Sequence, residues 1–130
     1  MKNLKAVWAI WPNGVIPYEI EDGFTSNDRA GIANAFTYLE KISCLRFVPH
    51  SGGEKLPKMT FIPVNLGGFC YTSWSTDGKT ETWAKVYLSS NTACTFGRTI
   101  VHEIAHGLAH FHTHKRDVAI LRKSQTYTNF

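Results

Sequence analysis

The five residues His102-Glu103-Ile104-Ala105-His106 constrain this chain more tightly than any other part of it. They lie in a segment, 95–109, that reads as a helix. Helical residues turn by about 100° each, so His102 and His106 stand about 40° apart and one turn along the axis. Two imidazoles placed in this way can reach one zinc ion at about 2.0–2.1 Å. Glu103 stands beside that face, near enough to touch a water activated by the metal and badly placed to displace it, as a general base requires.

A third ligand has to come from elsewhere. His110 falls on nearly the same face, but eight residues past His102 is about 12 Å along the axis, too far to share an ion. If the helix stops near Ala109 and the chain folds back, His112 swings under the metal. Three histidines and one open position are the pattern of a catalytic rather than a structural zinc site. His110 and His114 read as bystanders, and His50 as an isolated loop residue.

The rest of the chain fits a single domain of 130 residues. With 43% hydrophobic and 18% charged residues, the composition is that of a globular protein, not a disordered one. No apolar run approaches the roughly 18 residues of a membrane span. The net charge of +4 comes from scattered residues, and only Lys115, Arg116, Arg122 and Lys123 approach a patch. With neither a basic stripe nor a recognisable module, nucleic acid is not an expected partner. The apolar run at 6–11 is shorter than the roughly 7–15 residues of an export signal, so either such a signal lies outside this sequence or the protein is not exported. Cys44, Cys70 and Cys94 fit one disulfide with one unpaired thiol, or three buried thiols.

Val15–Ile20 is β-rich and follows the turn signal Pro12-Asn13-Gly14. A helix is expected over about 27–42, capped by Thr25 or Ser26, with Asp28 in its first turn and Ile32, Phe36 and Leu39 on one stripe. Strands are expected at 45–48 (closed by Pro49), 58–64, 69–74 and 83–88, and Met59 and Phe61 share one face of the second of these. Residues 113–130 show little periodicity and read as loop or frayed helix. This order predicts an α+β fold: a mixed, twisted sheet with two long helices, the second carrying the histidines.

With His112 included, the pattern is similar to the metzincin motif H-E-x-x-H-x-x-G-x-x-H, and within that clan the chain resembles the astacin family. Trp11-Pro-Asn-Gly-Val-Ile-Pro-Tyr18 is similar to the start of the mature astacin domain, and Cys44-Leu-Arg-Phe-Val-Pro49 to the family's C-I-R-F-V-P strand. Phe69-Cys70-Tyr71 and Asn91-Thr-Ala-Cys94 sit where astacins have a cysteine pair, and Thr99-Ile100-Val101 leads into the motif as it does in them. The resemblance runs from about residue 8 to 116.

It implies a secreted zinc metalloendopeptidase that acts on peptide or protein substrates. His102, His106 and His112 would bind Zn2+, with Glu103 as the base. Cys70 and Cys94 would form a disulfide, and Cys44 would pair with a cysteine further along a longer domain. Val86, Tyr87 and Leu88 would form the edge strand that aligns an extended peptide. Residues 1–130 would be one peptidase domain, with an N-terminal subdomain at about 8–109 and only a remnant of the C-terminal one at 110–130.

The chain departs from the family in three ways. Ala109 replaces the turn glycine, Thr113 replaces the glutamate after the third histidine, and the methionines, Met1 and Met59, are both upstream, so no Met-turn and following tyrosine are expected. The rival expectations are an inactive fragment or pseudo-protease that keeps the fold, and a secreted peptide-binding module.

Overall fold

Strands alternating with two amphipathic helices need a common apolar layer, and the computed structural model, which describes residues 11–65, 67–76 and 81–109, shows where it lies. A tight turn at Pro12–Gly14, with Asn13 and Gly14 at φ 59° and 70°, leads into β1 (Val15–Ile20). The other strands are β2 (Arg46–Pro49), β3 (Lys58–Val64), β4 (Cys70–Ser75) and β5 (Trp83–Ser89). The helices are α1 (Ser26–Ile42) and α2 (Gly97–Ala109). The sheet order is β2-β1-β3-β5-β4, parallel except for β4, which runs antiparallel to β5. The fold is α+β, with a mixed sheet and two helices.

Thr25 starts α1 through a reciprocal cap: its hydroxyl accepts from the Asp28 N–H (3.1 Å), and the Asp28 carboxylate accepts from the Thr25 N–H (3.0 Å). The helix then buries Ile32, Ala35, Phe36 and Leu39. The Phe36 ring meets Tyr18, Phe47 and Phe61 at centroid distances of 4.6, 4.4 and 5.5 Å, which seats α1 across β1, β2 and β3. Helix α2 buries Ile100, Val101, Ile104 and Leu108. Gly107 lets it approach the sheet, because a Cβ there would stand 2.9 Å from Met59 and 3.1 Å from Ala84. Both helices therefore cover one face of the sheet and share one core. Each fully buried Leu or Ile contributes roughly 1.5–3 kcal/mol to it.

Some expectations need correction. Val86, Tyr87 and Leu88 are not at an edge, because β5 is flanked on both sides. Val86 pairs with Phe61 and Thr72, and Leu88 with Pro63 and Cys70. A strand paired on both sides has no free row of backbone groups to offer a peptide; among the described residues the end strand on that side is β4. Helix α2 begins at Gly97, not Thr95. Ala93–Thr95 form a tighter 3-10 turn, Phe96 is extended (φ −130°, ψ 155°), and Gly97 has φ 55°. Strand β2 starts one residue later than expected, at Arg46, and closes on Pro49, which is its last residue and which an end strand tolerates. Cys70 and Cys94 are disulfide-bonded with Cα atoms 6.0 Å apart, and Cys44 is free and exposed. His110, His112, His114 and the expected 110–130 remnant lie outside the described residues.

Candidate functional site

Helix α2 sets the site by its own geometry. With Ile100, Val101, Ile104 and Leu108 turned into the core, His102 faces solvent and His106 is half-buried. The two rings meet edge to face with centroids 4.4 Å apart, and their Nε2 atoms converge to 2.8 Å. Two nitrogens on a tetrahedral zinc at about 2.0–2.1 Å would be about 3.3 Å apart, so the pair has to open by only about half an ångström. The two imidazoles therefore fit two coordination positions of one zinc ion. Among the described residues, no group of three or more His, Cys, Asp or Glu converges on one point. Glu103 does not join the imidazole pair in such a group.

Glu103 is only 8% exposed. A buried carboxylate is costly unless hydrogen-bonded, and Thr72 on β4 answers that cost: its Oγ1 lies 2.9 Å from Glu103 Oε1 and 2.9 Å from the Glu103 carbonyl oxygen.

The helix is held at both ends. The Cys70–Cys94 bond ties the start of β4 to the turn that leads into α2. Next to it, the fully buried Asp28 accepts hydrogen bonds from Thr95 Oγ1 (2.9 Å), Ser90 Oγ (2.9 Å) and the Asn91 N–H (3.0 Å), besides the Thr25 N–H. Burial alone would push the Asp28 carboxyl up; the donors from Thr25, Thr95, Ser90 and Asn91 together outweigh it and hold the group below the usual carboxylate range. At the other end, the fully buried Trp11 donates from Nε1 to the Gly107 carbonyl (3.1 Å). Gly107 is two residues from the last helical residue, where carbonyls lack a partner four residues ahead within the helix.

The pattern of residues alone did not mark Trp11, Thr72 or the long-range role of Asp28. Only the spacing of Thr25 and Asp28, that of a capping box, carried a signal. His50 is more than an isolated loop residue, because it shapes the loop before β3. Its Nδ1 accepts from the Gly52 N–H (2.9 Å), while Nε2 lies 2.7 Å from the Lys55 carbonyl and donates to it.

Residues 3–119 match the family model described as Astacin, a peptidase family. The chain is 35% identical over 107 residues to zinc metalloproteinase nas-7 of Caenorhabditis elegans, covering 82% of this chain and 26% of that protein. It is 33% identical over 107 residues to human tolloid-like protein 1, covering 82% of this chain and 10% of that one. Among solved structures it is similar to high choriolytic enzyme 1, a hatching enzyme zinc-protease from Oryzias latipes. There the TM-score is 0.54 at 26% identity, over 75% of this chain and 46% of the other. The chain thus spans about a quarter or less of these two curated relatives.

Proposed function

The chain belongs to the astacin family of peptidases, and from that premise we propose that it carries the metal-binding helix and the general base of a zinc-dependent metalloendopeptidase. The observation that carries this reading is the 2.8 Å convergence of His102 Nε2 and His106 Nε2 on a helix held at both ends. His102 and His106 would hold the zinc together with His112. A zinc ion bound there supplies Lewis acidity, lowering the pKa of water towards about 7 and stabilising negative charge on a substrate carbonyl oxygen.

The chain's own residues do the rest. Glu103 takes the proton of the attacking water on Oε2, since Oε1 is engaged by Thr72, and returns it to the leaving amine nitrogen. The end strand β4 offers an extended peptide a row of backbone groups next to α2, by strand addition. Peptides or proteins are accordingly the proposed substrates. A disulfide between Cys70 and Cys94 suits an oxidising compartment, which supports a secreted protein. No described helix is long and apolar enough to cross a membrane.

The test is to measure zinc content and casein cleavage for the chain and for Glu103→Ala. About one zinc per chain in both, with cleavage lost only in the variant, is the expected result. Cleavage that survives the substitution removes Glu103 as the base, and a wild-type chain without zinc removes the metal centre. Zinc without cleavage in the wild type would reassign the chain to a zinc-binding, non-catalytic relative.

A further inference from the structure

We propose that Thr72 is a positioning residue for Glu103, fixing the carboxylate through Oε1 and anchoring the base to the strand nearest the substrate. The inference rests on the reading of Glu103 as general base.

Thr72 sits in the middle of β4, opposite Val86, on the sheet face that α2 covers. Its hydroxyl is 2.9 Å from two oxygens of the same residue, the Glu103 carbonyl and Oε1, but carries one proton. The carbonyl of Glu103 already has a partner in the helix, because residue 107 lies four positions on within α2. Oε1 belongs to a buried carboxylate and is the stronger acceptor. The proton is therefore best used on Oε1, leaving Oε2 for the chemistry.

Two further features keep this geometry narrow. The Thr72 methyl would lie 3.7 Å from a Cβ at Gly107, so Thr72 fills the groove over the turn between Glu103 and Gly107. The Cys70–Cys94 bond, two residues before Thr72, fixes that end of β4 to the lead-in of α2. A carboxylate held in this way keeps one rotamer instead of sampling several, and orientation of a base is a large share of its effect. Because β4 is an end strand, a peptide docking on it would sit on the same element that holds the base.

The test is a double-mutant cycle on the full chain, read by urea unfolding, with Thr72→Val, Glu103→Ala and the pair. Valine keeps the shape and suits a strand, but removes the donor. Thr72→Val is expected to raise the unfolding equilibrium constant about tenfold or more in the wild-type background and less than about twofold when Glu103 is alanine. An equal loss in both backgrounds would mean that the hydroxyl serves the backbone carbonyl, and would overturn the proposal.

The second readout is cleavage by the zinc-loaded chain. Thr72→Val should lower kcat about 10- to 100-fold with KM within about twofold, and Thr72→Ser should restore it. A fall in Thr72→Val that serine does not restore, or one carried by KM alone, would also overturn it. Cleavage that persists in Glu103→Ala refutes the base assignment instead, and the unfolding cycle then still decides whether Thr72 holds the carboxylate.

Discussion

Replacing Asp28 by alanine should be among the most destabilising single changes in the chain that leave the apolar core intact. Asp28 is fully buried and accepts from four groups: the Thr25 and Asn91 N–H groups and the Ser90 and Thr95 hydroxyls. Removing the carboxylate leaves all four without it, but not equally. The hydroxyls rotate, and Thr95 Oγ1 already lies 3.4 Å from the Thr92 carbonyl. The two backbone N–H groups cannot rotate, and losing each partly buried hydrogen bond to the charged carboxylate costs about 1.5–3 kcal/mol. Allowing for water entering the gap, the net loss is about 3–4 kcal/mol. At about 2.1 cal/mol/K of unfolding entropy per residue, that lowers the Tm by about 10–15 °C.

The assay is urea unfolding at pH 7 with a parallel thermal scan. Asp28→Asn separates charge from shape. The Asp28 carboxyl is held below its ordinary value of about 3.9, so its ionised form contributes fully above that pH and is lost as pH falls through the lower folded value. The wild type should therefore lose more stability than Asp28→Asn on acidification below about pH 4. A Tm for Asp28→Ala within about 3 °C of wild type, or parallel acid profiles for wild type and Asp28→Asn, would refute this reasoning.

Gly31→Ala should destabilise by about 2 kcal/mol although alanine favours helices, because its Cβ would stand 1.9 Å from the Thr95 carbonyl oxygen; a stabilised variant in thermal unfolding would contradict the close approach of α1 to the turn before α2. Maleimide should label one thiol in the native chain, Cys44, and three after reduction under denaturing conditions; two or more native thiols would rule out the Cys70–Cys94 bond. Replacing Cys70 and Cys94 by serine should cost about 3 kcal/mol in chemical unfolding, from a loop whose ends are 24 residues apart, and a negligible change would show that the cross-link does not fix the helix lead-in.

Local patterns made some of this readable. Lys58–Val64 and Val15–Ile20 begin and end where alternation and turn residues place them, and the stripe of Ile32, Phe36 and Leu39 is buried in α1. The imidazole pair was legible because a helix fixes residues four apart regardless of the remaining fold. Strand order was not: Lys85 and Tyr87 alternating with buried Val86 and Leu88 describes a strand covered on one face, whether central or at an edge. Which strand ends the sheet depends on β4 folding back against β5, a pairing between distant segments. The same holds for Asp28, whose partners Ser90 and Thr95 lie 62 and 67 residues away, and for Thr72, 31 residues from Glu103. A threonine in a strand and an aspartate in a first helical turn both have local explanations, and these conceal the long-range ones.

X-ray absorption at the zinc edge of the metal-loaded chain tests the central claim most directly. About three imidazole nitrogens and one oxygen at about 2.0–2.1 Å are expected, with the metal lost in His102→Ala and retained in Glu103→Ala. A sulfur shell near about 2.3 Å, or zinc retained without His102, would contradict it.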